Sequence, residues 1–343
     1  MILKVVSRIA RLAVLSALVL GLVAAPSLSA QSIPKAKIKQ FSVIFVPKLV
    51  GVPWFNAMTQ GFNDFAKGSN IKYTVSGAAT TDPAAQARLI EDAIAKKPDC
   101  ILVVPNDTAV IEPAMKKGMA AGILMLTSEA STIVNAYADI EFFILAKEGK
   151  DMADIFVKHA GTKGGYAVMV GGLTNQGHNA RADAAVEYLA KNYPDLKQVT
   201  SRLEGSENVQ EAHDKTLQLI TAYPDLVGVL YVGSAGPIGG AQAVTEKGVQ
   251  KRVAIVGSAV PSQAKKYLLD GSLKASYIGN PYLIGKDSAY IIERMLSGVK
   301  LEDIGNLPQF GAQSVSPNAS KVGVITFHAD AEVSASNADS FGF

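Results

Sequence analysis

Short apolar runs alternate with amphipathic helical stretches along most of this chain, and no other feature limits its fold as strongly. Residues 43–46 (Val-Ile-Phe-Val) are continuously apolar, as in a parallel strand covered on both faces. Further strands are expected at 71–76, 100–104 and 123–126. A helix opening at Pro53 places Phe55, Met58, Phe62 and Phe65 on one face. A second helix is started by Asp82-Pro83, and a third spans 108–120 and is closed by Gly122. A second series of similar scale follows. Its helices read as 145–160, from 179 to 192, 207–222, one opened by the Gly-rich stretch 233–240, 261–269, and one ending near 296. Its strands read as 166–170, 226–232, 253–256 and 275–278. This βαβα order predicts an α/β chain of two doubly wound parallel-sheet lobes joined by a multi-strand hinge. The first lobe is expected to take residues 31–141 plus 281–309, and the second 142–280 plus 310–343. Crossings are then expected near Glu141, Asn280 and Phe310.

Two lobes suit the length of 343 residues, on a prior of roughly 100–200 residues per domain. With 48% hydrophobic and 18% charged residues, a large core is available. Net charge is +3, and Lys4, Arg8 and Arg11 account for all of it, so the remainder gives no electrostatic case for nucleic acid. Those three residues precede an apolar run over 12–25 and then Pro26-Ser-Leu-Ser-Ala30, the order of a secretory signal peptide over residues 1–30. The run is shorter than the roughly 20 residues a spanning helix needs. Cleavage is expected after Ala30 rather than Ala25, with the remaining chain in the periplasm. The one cysteine, Cys100, opens an apolar strand and reads as a small buried hydrophobe.

The polar groups that could meet a ligand fall where strands end. Lys48, Trp54 and Phe55 follow the first strand, between Pro47, which cannot donate to a ladder, and Pro53, which suits a first helical turn. Asn106 and Asp107 follow the third strand, although Asp107 also suits a helix N-cap. Glu129 follows the fourth. Asn175, Gln176, His178 and Asn179 follow the first strand of the second series, Ser234 a later one, and Asn280 the last. In open α/β sheets ligands collect outside the carboxyl ends of the strands. Hydrogen-bonding groups beside an aromatic ring suit a sugar, whose hydroxyls and C–H face need both. Trp54 lies off the apolar stripe of its helix, which points it toward a cleft.

Signals for chemistry are weak. The histidines at 159, 178, 213 and 328 show no i, i+4 pairing and no cysteine companion, against a zinc site. Ser234 and Ser258 follow glycines without completing Gly-x-Ser-x-Gly. The stretch 233–240 lacks the Gly-Lys-Ser/Thr ending of a phosphate loop. A Lys48–Glu129 pair could serve acid–base chemistry or hold two hydroxyls, and binding is the better fit.

Three pieces, Phe45-Val-Pro-Lys-Leu-Val-Gly-Val, Leu126-Thr and Val315-Ser-Pro-Asn, resemble the periplasmic sugar-binding proteins of ABC importers, which have the type I fold. Within that family the resemblance runs to the autoinducer-2-binding subgroup, with the rhamnose-binding proteins close by. It covers nearly the whole chain after residue 30, including the ending Asn337-Ala-Asp-Ser-Phe-Gly-Phe. It implies a monomeric, non-enzymatic receptor without cofactor or metal, which closes on a solute and passes it to a membrane permease and its ATPase. The alternative it implies is a receptor presenting autoinducer-2 or a sugar to a chemoreceptor. The family's binding lysine is Lys48, and its aspartate after strand four is replaced by Glu129. The subgroup's Asp-Gln corresponds to Asn175-Gln176 without the charge, or, after a two-residue slip, to Gly177-His178. Its Pro-Asp-Ala corresponds to Val232-Gly233-Ser234, and the ribose-type Asp-Arg to Glu129-Ala130. These departures imply a small neutral sugar or polyol as the ligand rather than autoinducer-2 itself.

Overall fold

Residues 40–341 are described by the computed structural model, so the segment read as a signal peptide lies outside them. The first series runs β1 (Phe41–Val46), α1 (Pro53–Ala66), β2 (Ile71–Val75), α2 (Pro83–Ala95), β3 (Cys100–Val103), α3 (Thr108–Ala120), β4 (Leu124–Ser128) and β5 (Ala138–Glu141). The second runs α4 (Leu145–Ala160), β6 (Gly164–Val170), α5 (Gln176–Asn192), β7 (Leu196–Gln198), β8 (Leu203–Glu204), α6 (Val209–Ala222), β9 (Leu226–Val232), α7 (Gly236–Glu246), β10 (Ala254–Gly257), α8 (Pro261–Leu269) and β11 (Ala275–Gly279). The chain then continues through α9 (Pro281–Leu296), β12 (Ser314–Pro317), β13 (Gly323–Thr326) and β14 (Asp330–Val333). No helix among the described residues is long and apolar enough to cross a membrane.

Two sheets carry these elements, as the alternation predicts. The first has the order β12-β13-β5-β4-β3-β1-β2 and is parallel except for the β12–β13 pair. The second has the order β14-β11-β10-β9-β6-β7, with β8 also beside β6, and only β14 is antiparallel. Central strands are buried on both faces: every residue of β3 and β10 is inaccessible. That is why they read as unbroken apolar runs. Local chemistry sets the helix starts. The Asp82 carboxylate accepts from the N–H groups of Ala84 and Ala85, and Pro83 takes the first helical position. On α1, Phe55, Met58 and Phe62 face the core, and Phe62 stacks on Tyr73 at 4.3 Å.

Helix α9 leaves the second sheet and packs on α1. A Cβ on Gly61 would lie 1.9 Å from the Tyr282 carbonyl oxygen, and one on Gly285 would lie 2.2 Å from that of Met58. Only glycine at both positions lets the two backbones approach this closely.

The end of the chain departs from expectation. Residues 314–326 are not part of the second lobe: β13 pairs in parallel with β5, and β12 extends the first sheet. The third crossing therefore lies over 327–329 rather than near Phe310. Phe310 is held to the first lobe because the Asp287 carboxylate on α9 accepts from the backbone N–H of Gln309 and Phe310, and because its ring stacks on Phe327 at 5.3 Å. The crossover after β5 and the one after β13 are tied side by side. Phe327 N–H donates to the Glu141 carbonyl at 2.9 Å, and Ala329 N–H to that of Phe142 at 3.2 Å. Gly279, at the end of β11, is registered opposite Asp330.

Candidate ligand-binding cleft

The carboxyl ends of the two sheets face each other, and the groups at those ends meet. On the first lobe, Gln86 organises the loop after β1. Its amide donates to the carbonyls of Pro47 and Val104, while its oxygen accepts from Asn106 N–H. Asn106 in turn donates to the Lys48 carbonyl at 2.8 Å. This polar lattice fixes Lys48, 2% exposed, so that its ammonium donates to Glu129 at 2.6 Å. Glu129 sits in the left-handed region at φ 57°, a strained position for a side chain of its size. The turn is held by Asp139, which accepts from Thr127 Oγ1 and from Ala130 N–H.

The second lobe answers with the start of α5. The Asn175 side chain caps it, accepting from His178 N–H at 2.9 Å, and its amide donates across the cleft to the Pro105 carbonyl at 3.4 Å. Gln176 accepts from Thr108 Oγ1 across the same rim. His178 is buried one turn in, with Nε2 3.1 Å from the Lys48 ammonium and 3.5 Å from Glu207 Oε1. Gly171 N–H donates to His178 Nδ1 at 3.1 Å, and Nε2 stands between the Lys48 ammonium and Glu207. Burial, with Lys48 and Arg181 adding to it, pushes the imidazole well below its ordinary range and keeps it neutral.

Arg181, three residues beyond His178 on the same helical face, is the hub of the second lobe. It donates to Glu148 at 2.9 Å and to the Gly177 carbonyl, and its guanidinium lies 4.5 Å from the Phe143 ring centroid. One of its nitrogens is 3.8 Å from Glu129, which links it to the Lys48 pair across the cleft. Burial works against its charge, but Glu148 and Glu129 outweigh burial and keep it protonated. Glu207 is raised, chiefly by burial, and accepts from Ser234 Oγ at 3.4 Å.

Together these groups line a narrow cavity of about 30 Å³ between the lobes. Trp54, Phe55 and Phe143 form its apolar wall, and Trp54 stacks on Phe143 at 6.2 Å. Lys48, Glu129, His178, Arg181, Glu207 and Ser234 form its polar wall, with Gly233, Ser258 and Ile278 completing the lining. Of the residues singled out in the sequence, Lys48, Trp54, Phe55, Glu129, His178 and Ser234 reach this cavity. Asn106 and Asn175 line an outer groove beside it, and Gln176 lies at the rim. Asn179 and Asn280, also expected in the site, are not on the cavity wall. Asn179 ties its own loop through the carbonyls of Gly172, Leu173 and Asn175, and Asn280 caps α9. Asp107 likewise caps α3. Sequence reasoning missed Arg181, Glu207, Phe143 and Ser258. The three-residue spacing from His178 would have found Arg181, whereas Glu207 follows a two-residue strand that leaves no pattern.

Comparison with known proteins places the chain. Residues 43–300 match the periplasmic binding protein domain family. The ribose import binding protein of Bacillus subtilis is 23% identical over 280 residues, covering 79% of this chain and 86% of that one. Among solved structures, an ABC transporter solute-binding protein from Clostridium phytofermentas with bound L-rhamnose superposes with a TM-score of 0.82 at 20% identity, covering 88% of this chain and 98% of its own. The LsrB protein of Clostridium saccharobutylicum in complex with AI-2 gives 0.80 at 21%, with 88% and 100% covered. The fold is that of the type I periplasmic binding proteins.

Proposed function

Because the chain belongs to the periplasmic binding protein family, we propose that it is a periplasmic receptor that captures a small neutral sugar or polyol between its lobes and delivers it to an ABC permease. The observation that carries this reading is the cavity itself. Lys48 and Glu129 from one lobe meet His178 and Arg181 from the other beside an aromatic wall, and each cation already has a carboxylate partner. Compensated charges leave no net field to select an ionic ligand. They still offer N–H donors and carboxylate acceptors to hydroxyls, while Trp54, Phe55 and Phe143 suit C–H faces. The ribose and L-rhamnose named for two of its relatives are of this class. Glu129 is engaged by Lys48 at 2.6 Å, which supports holding hydroxyls over general-base work.

A thermal-shift screen over pentoses, deoxyhexoses, tetritols, hexitols and autoinducer-2 tests the reading, because a ligand that binds only the folded chain raises its melting temperature. At least one neutral polyhydroxy compound is expected to raise it, and sugar acids and sugar phosphates are expected to leave it unchanged. A shift with charged sugars alone contradicts the neutral-ligand reading.

A further inference from the structure

Asp139 and Glu141 are two residues apart on β5 and therefore point to the same face of the strand. Both are buried, at 0% and 3% exposure. Asp139 uses one oxygen for Thr127 and Ala130; its other oxygen and both oxygens of Glu141 have no hydrogen-bond partner. Among the described residues, no cation is bonded to either carboxylate. Lys48 is bonded to Glu129, and Arg181 is bonded to Glu148 with Glu129 at its other edge. The groups facing Glu141 are Asp139 on its own strand, Glu129 at the end of β4 and Arg181 on α5. On the neighbouring crossover His328 is 3.9 Å from Asp330, and Asp330 faces Glu148, Arg181, Lys147 and Asp151.

We propose that Asp139 and Glu141 hold one proton between them at the crossovers, and that closing the lobes takes this proton up, so that acid favours the closed form. Two buried carboxylates without a cation cannot both ionise, and one shared proton supplies the donor their unpartnered oxygens lack. Burial is the largest influence on each. It lifts Asp139 to about 6 and Glu141 well above the ordinary carboxylate range, against the opposing pull of Arg181 on Glu141.

The place of the pair in the fold couples it to closure. Glu141 is the last residue of β5, and its carbonyl accepts from Phe327 on the adjacent crossover. Arg181 belongs to the opposite lobe, so opening the cleft withdraws Arg181 and admits water to the first-lobe carboxyls. Since burial outweighs Arg181 at Glu141, hydration wins and the open form ionises at lower pH. A raised closed-state value means that closure is fully supported below the ordinary glutamate range and loses support as pH rises through the raised value. For one linked proton the closed-to-open ratio changes by up to about tenfold per pH unit within that window. The proton-holding part is independent of the ligand's identity, and the closure part rests on the two-lobe clamp proposed above.

Two ligand-free measurements on the purified protein test this. Infrared spectra at neutral pH should show the carbonyl stretch of a protonated carboxyl that is lost or reduced in Glu141→Gln; an identical band in both proteins overturns the shared proton. Small-angle scattering from about pH 5 to about pH 8 should show the radius of gyration growing in the native protein and staying small in Asp139→Asn, whose amide can donate to Glu141 at every pH. The same growth in both, or none in the native protein, overturns the coupling to closure. Neither readout requires a sugar to bind, so either can fail while the sugar reading stands.

Discussion

Two groups of buried charge lie close together in this protein and follow opposite rules. In the cleft, Lys48 pairs with Glu129 and Arg181 with Glu148, each within 3 Å. At the crossovers, Asp139, Glu141 and Asp330 have carboxyl oxygens with no hydrogen-bond partner. Buried ion pairs seldom stabilise a fold, because desolvation offsets most of their attraction. Their presence at the mouth of two sheets is better explained by what they offer a ligand. Carboxyls without a cation are tolerable only when protonated, which makes the crossovers sensitive to pH.

The largest effect should come from breaking the paired group. Arg181→Met leaves Glu148 and Glu129 facing each other without a guanidinium, so denaturant unfolding should show a loss of about 3–5 kcal/mol. Next comes the apolar wall. Trp54→Ala should weaken ligand binding by about 2–3 kcal/mol, roughly 30- to 150-fold by calorimetry. Phe62→Ala, stacked on Tyr73 away from the cleft, should instead cost about 3–5 kcal/mol of stability. As the only tryptophan, Trp54 should also report binding through its fluorescence.

The contrast itself is sharpened by giving the same substitution to each group. Glu148→Gln removes a charge that Arg181 uses and should destabilise the protein by about 1–3 kcal/mol at neutral pH. Glu141→Gln removes a carboxyl that must take up a proton to stay buried and should leave stability equal or higher at neutral pH, the difference vanishing in acid, where the unfolded chain is protonated too. Unfolding free energies of both variants at two pH values check the opposite signs. The smallest effect is a control: Asp82→Ala should lose a helix cap worth about 1 kcal/mol with ligand affinity unchanged.

Much of this was legible in the sequence where local physics decides. Residues 43–46, 100–103 and 226–232 read as buried strands because parallel strands covered on both faces are apolar throughout. Helix starts at Pro53, Asp82 and Pro261 were marked by prolines and a cap. Lys48, Glu129 and His178 could be placed because strand ends in this topology converge. The rest depends on contacts between distant segments. The strands Leu196–Gln198 and Leu203–Glu204 are too short to show a period. Ser314–Pro317 is a mostly exposed edge strand with a single aliphatic residue, Val315, so its return to the first sheet left no apolar run. Asn179 and Asn280 look like ligand groups by position, and only the hydrogen bonds reveal that they serve loop and helix ends.

The most direct test of the two-lobe clamp is small-angle scattering of the protein with and without the compound that most raises its melting temperature. Lobes that close over Lys48, Glu129, His178 and Arg181 should give a smaller radius of gyration at saturation than in the free protein. An unchanged radius at a ligand concentration that calorimetry shows to be saturating would contradict closure of the cleft on its ligand.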